Sequence, residues 1–152
     1  MQNSVTVRMA APAEQIWGLV SDITNTGKFS PETIAAEWLG GATSPAVGVK
    51  FRGRVNRNGW GFKYWTVCRI IASEPGKEFA FTVLGPGGMG INTWRYEFTP
   101  VEGGTDVTES FHLHQETLPV KLYWLAAGWT RGKTNLDGMR ETLNRIKAVV
   151  EK

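Results

Sequence analysis

The chain has almost no cysteine, no long apolar run and no strong excess of either charge, and each lack removes a class of protein. Its 152 residues hold one cysteine, Cys68, which cannot close an intramolecular disulfide; a disulfide-framed secreted scaffold is excluded and a reducing, cytoplasmic setting is expected. The opening MQNSVTVRMAA has no apolar stretch of signal-peptide length, and the most apolar later segment, Leu118 to Ala127, is cut by Lys121 and too short to span a bilayer. No stable membrane insertion is expected. With 17 basic against 14 acidic residues the formal charge is +3, too little to demand nucleic acid as a partner. His112 and His114 would project from one face of a strand, but zinc takes at least three protein ligands and no further Cys, His or Asp lies at usable spacing. Neither a metal nor any other cofactor is expected.

What is present fits one folded domain over residues 1–152: 41% hydrophobic and 20% charged residues, far from the composition of disordered chains. Val5, Val7 and Met9 alternate with Ser4, Thr6 and Arg8, which predicts a half-buried first strand. Pro12 suits the first turn of a helix, Ile16, Leu19, Val20 and Ile23 follow at helical spacing, and Asp22 caps a second short helix that stops before Pro31. From about Ile34 to His114 the period changes to two, with turns at Gly40-Gly41, Asn58-Gly59, Pro75-Gly76, Gly85 to Gly90 and Gly103-Gly104. Phe51, Gly53 and Val55 share one face, as do Trp94, Tyr96 and Phe98, and Val107, Phe111 and Leu113. The last segment carries Leu122, Leu125, Leu136, Met139, Leu143, Ile146 and Val150 at steps of three and four, a long helix with one apolar face. Gly128 and Gly132 predict a kink in it, and Thr134 a cap for its second piece. An antiparallel sheet with one apolar face must bury it, and the terminal helix is the element long enough to do so.

That order of elements, with Val5-Thr-Val-Arg-Met-Ala-Ala-Pro-Ala-Glu-Gln-Ile-Trp17, Phe29-Ser-Pro31, Gly48-Val-Lys-Phe-Arg-Gly-Arg54, Glu74-Pro-Gly-Lys-Glu-Phe79 and Asn135-Leu-Asp-Gly-Met-Arg-Glu-Thr-Leu143, resembles the START/Bet v 1-like superfamily. Within it the chain is similar to the bacterial polyketide cyclase/dehydrase-like branch, and the resemblance covers nearly the whole sequence. It implies an α+β helix-grip fold: a curved antiparallel sheet of about seven strands around a long C-terminal helix, with two short helices after the first strand. It also implies a deep cavity between sheet and helix. The superfamily spans lipid carriers, metabolite binders and cyclases, so a fold of this kind does not fix an activity.

The expected occupant is a small hydrophobic molecule, a lipid or polyketide-like metabolite. Candidate ligand-binding residues are Tyr64, Trp65, Trp94, Tyr96 and Phe111 on the strands, and Leu122, Leu125, Trp129 and Met139 on the terminal segment. Glu109 shares the face of Val107 and Phe111, so it is either one half of a structural ion pair or a carboxyl inside the cavity, facing Tyr64 or Tyr96 as anchor or catalytic acid/base. Arg54 alternates with Phe51 and Val55 and belongs on the outer surface unless a bulge at Gly53 turns it inward toward Glu109. Cys68 reads as a small buried hydrophobe with no activating base in sight. Three functions stay open: a hydrophobic-ligand binder, a cyclase or dehydratase acting in the same cavity, and an interaction module using the basic stretch from Lys50 to Arg69.

Overall fold

The computed structural model describes residues 2–56, 64–114 and 136–152. Strand β1, Gln2–Met9, buries Val5 and Met9 and leaves Ser4, Thr6 and Arg8 outside, the alternation that a strand with one wet face requires. Helix α1, Ala13–Ser21, starts behind Pro12 and buries Ile16 and Val20, while Trp17 Nε1 donates to the Glu78 carbonyl at 2.9 Å and ties the helix to the sheet. Asp22 caps the next turn, Ile23–Asn25, its carboxylate accepting from the Thr24 backbone at 3.2 Å and from the Thr24 hydroxyl at 2.6 Å. Helix α2, Thr26–Phe29, then runs close beneath the sheet. A Cβ on Gly27 would stand 2.4 Å from the Ile34 carbonyl oxygen, so only glycine permits that approach.

Six further strands form a meander: β2 Thr33–Trp38, β3 Lys50–Val55, β4 Tyr64–Glu74, β5 Glu78–Leu84, β6 Gly90–Val101 and β7 Gly104–Leu113. The sheet order is β1-β7-β6-β5-β4-β3-β2, antiparallel throughout, so the first strand closes against the last, from Gln2 opposite His112 to Met9 opposite Thr105. Gly76, with φ of 73°, makes the β4–β5 turn in a conformation that disfavours side chains. Register shifts at Thr33/Ala35, Ile70/Ala72 and Val83/Leu84 mark bulges, which bend the strands they occupy.

Residues 136–150 form the C-terminal helix, α3. Met139, Leu143, Ile146 and Val150 are buried on the stripe that the heptad-like spacing predicts. The helix reaches both margins of the sheet: near one end a Cβ on Gly138 would lie 3.9 Å from Pro31, just before β2, and past the other the Glu151 carboxylate accepts from the Ala10 backbone at 2.8 Å, just after β1. Seven antiparallel strands closed on this helix are the helix-grip α+β fold that the sequence predicts. The Asn58-Gly59 turn, the kink at Gly128 and Gly132 and the Thr134 cap lie outside the described residues. Among the described residues no helix is long and apolar enough to cross a membrane.

Candidate functional site

Between the inner face of the sheet and residues 138–142 of α3 lies a cavity of about 500 Å³. Its walls follow the strand alternation. Tyr64, Thr66 and Cys68 enter from β4, Asn92, Trp94 and Tyr96 from β6, and Glu109 and Phe111 from β7, in each case every second residue of the strand. Helix α3 contributes Gly138, Met139 and Thr142, and the α2–β2 corner adds Phe29, Pro31 and Glu32 at another side. Trp94 and Phe111 are tilted neighbours with ring centroids 4.8 Å apart, a wall too bulky to close the space further.

Of the residues singled out from sequence, Glu109, Tyr64, Trp94, Tyr96, Phe111 and Met139 lie on this wall. Arg54 and Trp65 require correction. The strand pairing carries no bulge at Gly53, since β3 keeps an unbroken register with β4; the irregularity falls on β2 at Thr33/Ala35 instead. Arg54 therefore stays on the outer face. There its guanidinium carbon is 5.6 Å from the Trp65 ring centroid, with that of Arg52 at 4.2 Å, so Trp65 packs under two cations away from the cavity. Arg52 also pairs with Glu37 across the β2–β3 ladder. Leu122, Leu125 and Trp129 lie outside the described residues.

Phe51, Cys68, Phe79, Phe81 and Asn92 line the cavity without having been singled out as contacts. For Asn92 the signal was available, because it precedes Trp94 and Tyr96 by steps of two on β6. Glu32 sits in a corner after Pro31, and no periodicity announces it.

The polar core of the site is the pair Glu109 and Tyr96, register partners on β7 and β6. The Tyr96 hydroxyl donates to Glu109 Oε2 at 2.9 Å, whereas Glu109 Oε1 is buried without a hydrogen-bond partner. Glu109 is only 4% exposed. Burial pushes its carboxyl up to about 8, the hydrogen bond from Tyr96 opposes this, and the charge of Glu32 adds to it. Burial, then the Glu109 charge and hydrogen bond, hold the Tyr96 phenol well above its ordinary value. Burial likewise lifts the Cys68 thiol to about 12, against a smaller opposing bond with Thr66, which disfavours the thiolate form. The Asn92 side-chain oxygen is a second buried acceptor without a partner.

The histidines stand apart from this site. His112 and His114 have ring centroids 5.6 Å apart, but His114 Nε2 is engaged with the Thr93 hydroxyl at 2.7 Å. Among the described residues no group of three His, Cys, Asp or Glu is placed to hold a metal ion.

The family model for polyketide cyclase/dehydrase and lipid transport proteins matches residues 2–151. A START superfamily protein from Mycobacterium smegmatis superposes with a TM-score of 0.71 at 16% identity, over 99% of this chain and 97% of that one. A polyketide-cyclase-like protein from Corynebacterium glutamicum gives a TM-score of 0.56 at 25% identity, over 99% and 89%. A Deinococcus radiodurans protein gives 0.69 at 20% identity, over 99% and 98%. At 16% and 20% identity, the Mycobacterium smegmatis and Deinococcus radiodurans matches speak for the fold alone. No curated protein sequence matches the chain significantly.

Proposed function

Because the chain belongs to the polyketide cyclase/dehydrase and lipid transport family over residues 2–151, we propose that it binds a small hydrophobic metabolite in the cavity between sheet and α3. The observation that carries this reading is the cavity itself, about 500 Å³ and walled mainly by aromatic and aliphatic side chains. A void of that size sacrifices packing and is retained where a guest fills it. A ligand burying about 300 Å² of apolar surface gains roughly 7 kcal/mol at about 25 cal/mol per Å², before the cost of association. The few polar groups, Glu109 and Tyr96 above all, orient the guest.

On this reading the protein is a cytoplasmic carrier or sensor of an apolar molecule, with no role for nucleic acid. The test is native mass spectrometry of the purified protein together with titration by the neutral apolar dye Nile red. The expected result is a co-purifying small-molecule adduct, or saturable dye uptake that salt does not weaken. A protein that takes up no dye and carries no adduct would overturn the reading.

The Glu109–Tyr96 pair also supports a second reading, a cyclase or dehydratase, since a carboxyl held at about 8 can exchange a proton near neutral pH. Dehydration of a β-hydroxy ketone needs one group to take the α-proton and another to protonate the departing hydroxyl. Glu109 and Tyr96 form one hydrogen-bonded unit at one point of the wall. Turnover of such a ketone, lost in Glu109→Gln, would favour the enzyme; its absence alongside dye binding favours the carrier.

A further inference from the structure

The outward side of β3 is cationic at every position: Lys50, Arg52 and Arg54 stand there, in alternation with Phe51, Gly53 and Val55 on the cavity side. On β4, Trp65, Val67 and Arg69 share that outer side. The register sets Arg54 opposite Trp65, Arg52 opposite Val67 and Lys50 opposite Arg69. Like charges directly opposite each other destabilise a ladder, so Lys50 and Arg69 repel, and an anionic partner relieves that repulsion. Among the described residues Arg52 pairs with Glu37 of β2, and no other carboxylate forms an ion pair with Lys50, Arg54 or Arg69. Residues 57–63 and 115–135 carry five basic side chains, Arg57, Lys63, Lys121, Arg131 and Lys133, against one acidic, Glu116, so their sum is also positive.

This face is not purely ionic. Trp65 is 42% exposed and Val67 37%, and the guanidinium carbons of Arg52 and Arg54, at 4.2 Å and 5.6 Å from the Trp65 ring centroid, hold indole and cations at one level. Cations around an exposed indole match the headgroup layer of an anionic bilayer, where arginine and lysine meet phosphates and tryptophan sits at the boundary of polar and apolar regions. Single-stranded nucleic acid asks for a platform of several aromatic faces on which successive bases stack. The outward residues of β3 and β4 offer one ring, with Arg52 over it, and beside it the aliphatic Val67. Tyr64, the chain neighbour of Trp65, turns the other way: it lines the cavity and is itself 42% exposed, so the cavity wall meets solvent next to this face.

We propose that the outer face of β3 and β4 docks the protein reversibly on a bilayer of anionic phospholipid, with Lys50, Arg52, Arg54 and Arg69 over the phosphates and Trp65 at the headgroup level. The choice of a bilayer among polyanions rests on the hydrophobic-ligand reading above, since a bilayer is the phase in which an apolar guest accumulates. Docking through this face brings the exposed Tyr64 edge of the cavity close to the surface that supplies or receives the guest. Contact of this kind is peripheral, and salt weakens it by screening the phosphates from the cations.

The experiment is co-sedimentation with vesicles of phosphatidylcholine alone or mixed with about one-third phosphatidylglycerol. The wild type is expected to bind the anionic vesicles and not the neutral ones, and to lose about tenfold in partition between about 0.1 M and about 0.5 M salt. Arg54→Glu should lower the partition about tenfold and Trp65→Ala by a smaller factor. Arg140→Glu, the same change of charge at an exposed position of α3, should leave it near the wild-type value. Circular dichroism checks that each variant is folded. No binding to anionic vesicles, equal binding to neutral ones, an equal loss in Arg140→Glu, or tighter binding of a single-stranded oligonucleotide through Arg54 and Trp65 would each overturn the proposal. Nile red uptake without vesicle docking sinks the docking face and leaves the carrier reading intact, whereas docking that depends on Arg54 in a protein that takes up no dye sustains the face and sinks the carrier.

Discussion

The two halves of the grip around α3 are built from the same strands, yet one is solid and the other hollow. Toward the C-terminal end of the helix, Leu143 and Ile146 belong to the same buried cluster as Met9, Val107 and Phe98, all between 0% and 4% exposed. Around its N-terminal half, Gly138 and Thr142 face Gly53, Ala36, Thr66 and Cys68 across open space. The difference is side-chain volume at inward positions. Where every second residue is large the inner face is buried, and where it is small, as at Ala36, Gly53, Thr66 and Cys68, a void remains that Trp94 and Phe111 bound without filling.

The sharpest way to break this contrast is to truncate one residue from each half. Ile146→Ala should cost about 3 to 4 kcal/mol of unfolding free energy, because it opens a cavity in close packing, while Met139→Ala, beside existing void, should cost about half as much. Urea denaturation at fixed pH measures both, and equal losses would mean that the two halves are packed alike.

Glu109 lies on the border and should tie stability to pH. Its folded value of about 8 stands above its ordinary 4.5, so the folded state favours the neutral acid. The stabilisation relative to an ionised carboxyl is complete below about 4.5 and is lost as pH rises toward about 8, on the order of 5 kcal/mol across that window. Wild-type stability measured against Glu109→Gln should therefore decline through this range and level off above it. A difference independent of pH would show that the carboxyl is ionised throughout.

Filling the hollow half tests its purpose. Thr66→Phe projects a ring into the cavity and should weaken Nile red binding about tenfold or more while altering stability by about 1 kcal/mol or less, since the space is already there. Full dye binding by this variant would place the guest elsewhere. The smallest effect belongs to the outer face, where Arg52→Ala removes an exposed pair with Glu37 and should shift stability by about 0.5 kcal/mol or less, with ligand binding unchanged.

Much of this was legible in the sequence because burial imposes a period. Val5 and Met9, the alternation of Trp94, Tyr96 and Phe98, and the α3 stripe ending at Val150 each announce a buried face, and seven antiparallel strands on a terminal helix follow from them. The same alternation puts Glu109 on the side of Phe111, and it gives Arg54 and Trp65 to the outer surface. Only a bulge at Gly53 would turn Arg54 inward, and Trp65 suits a cavity by residue type but not by its place in the alternation. The bulge lies instead on β2, and a bulge is decided by how two strands pair, which neither strand carries alone.

What the sequence determined by itself, then, is which side of each element turns inward, since a two-residue or 3.6-residue repeat of apolar side chains has only one way to leave water. What the tertiary structure alone decided is where inward surfaces touch and where they stand apart, and which oxygen of Glu109 meets Tyr96. Those outcomes depend on distances between residues far apart along the chain, set by strand register, bulges and the seating of α3, and the charge held by a buried carboxyl depends on the surroundings so assembled.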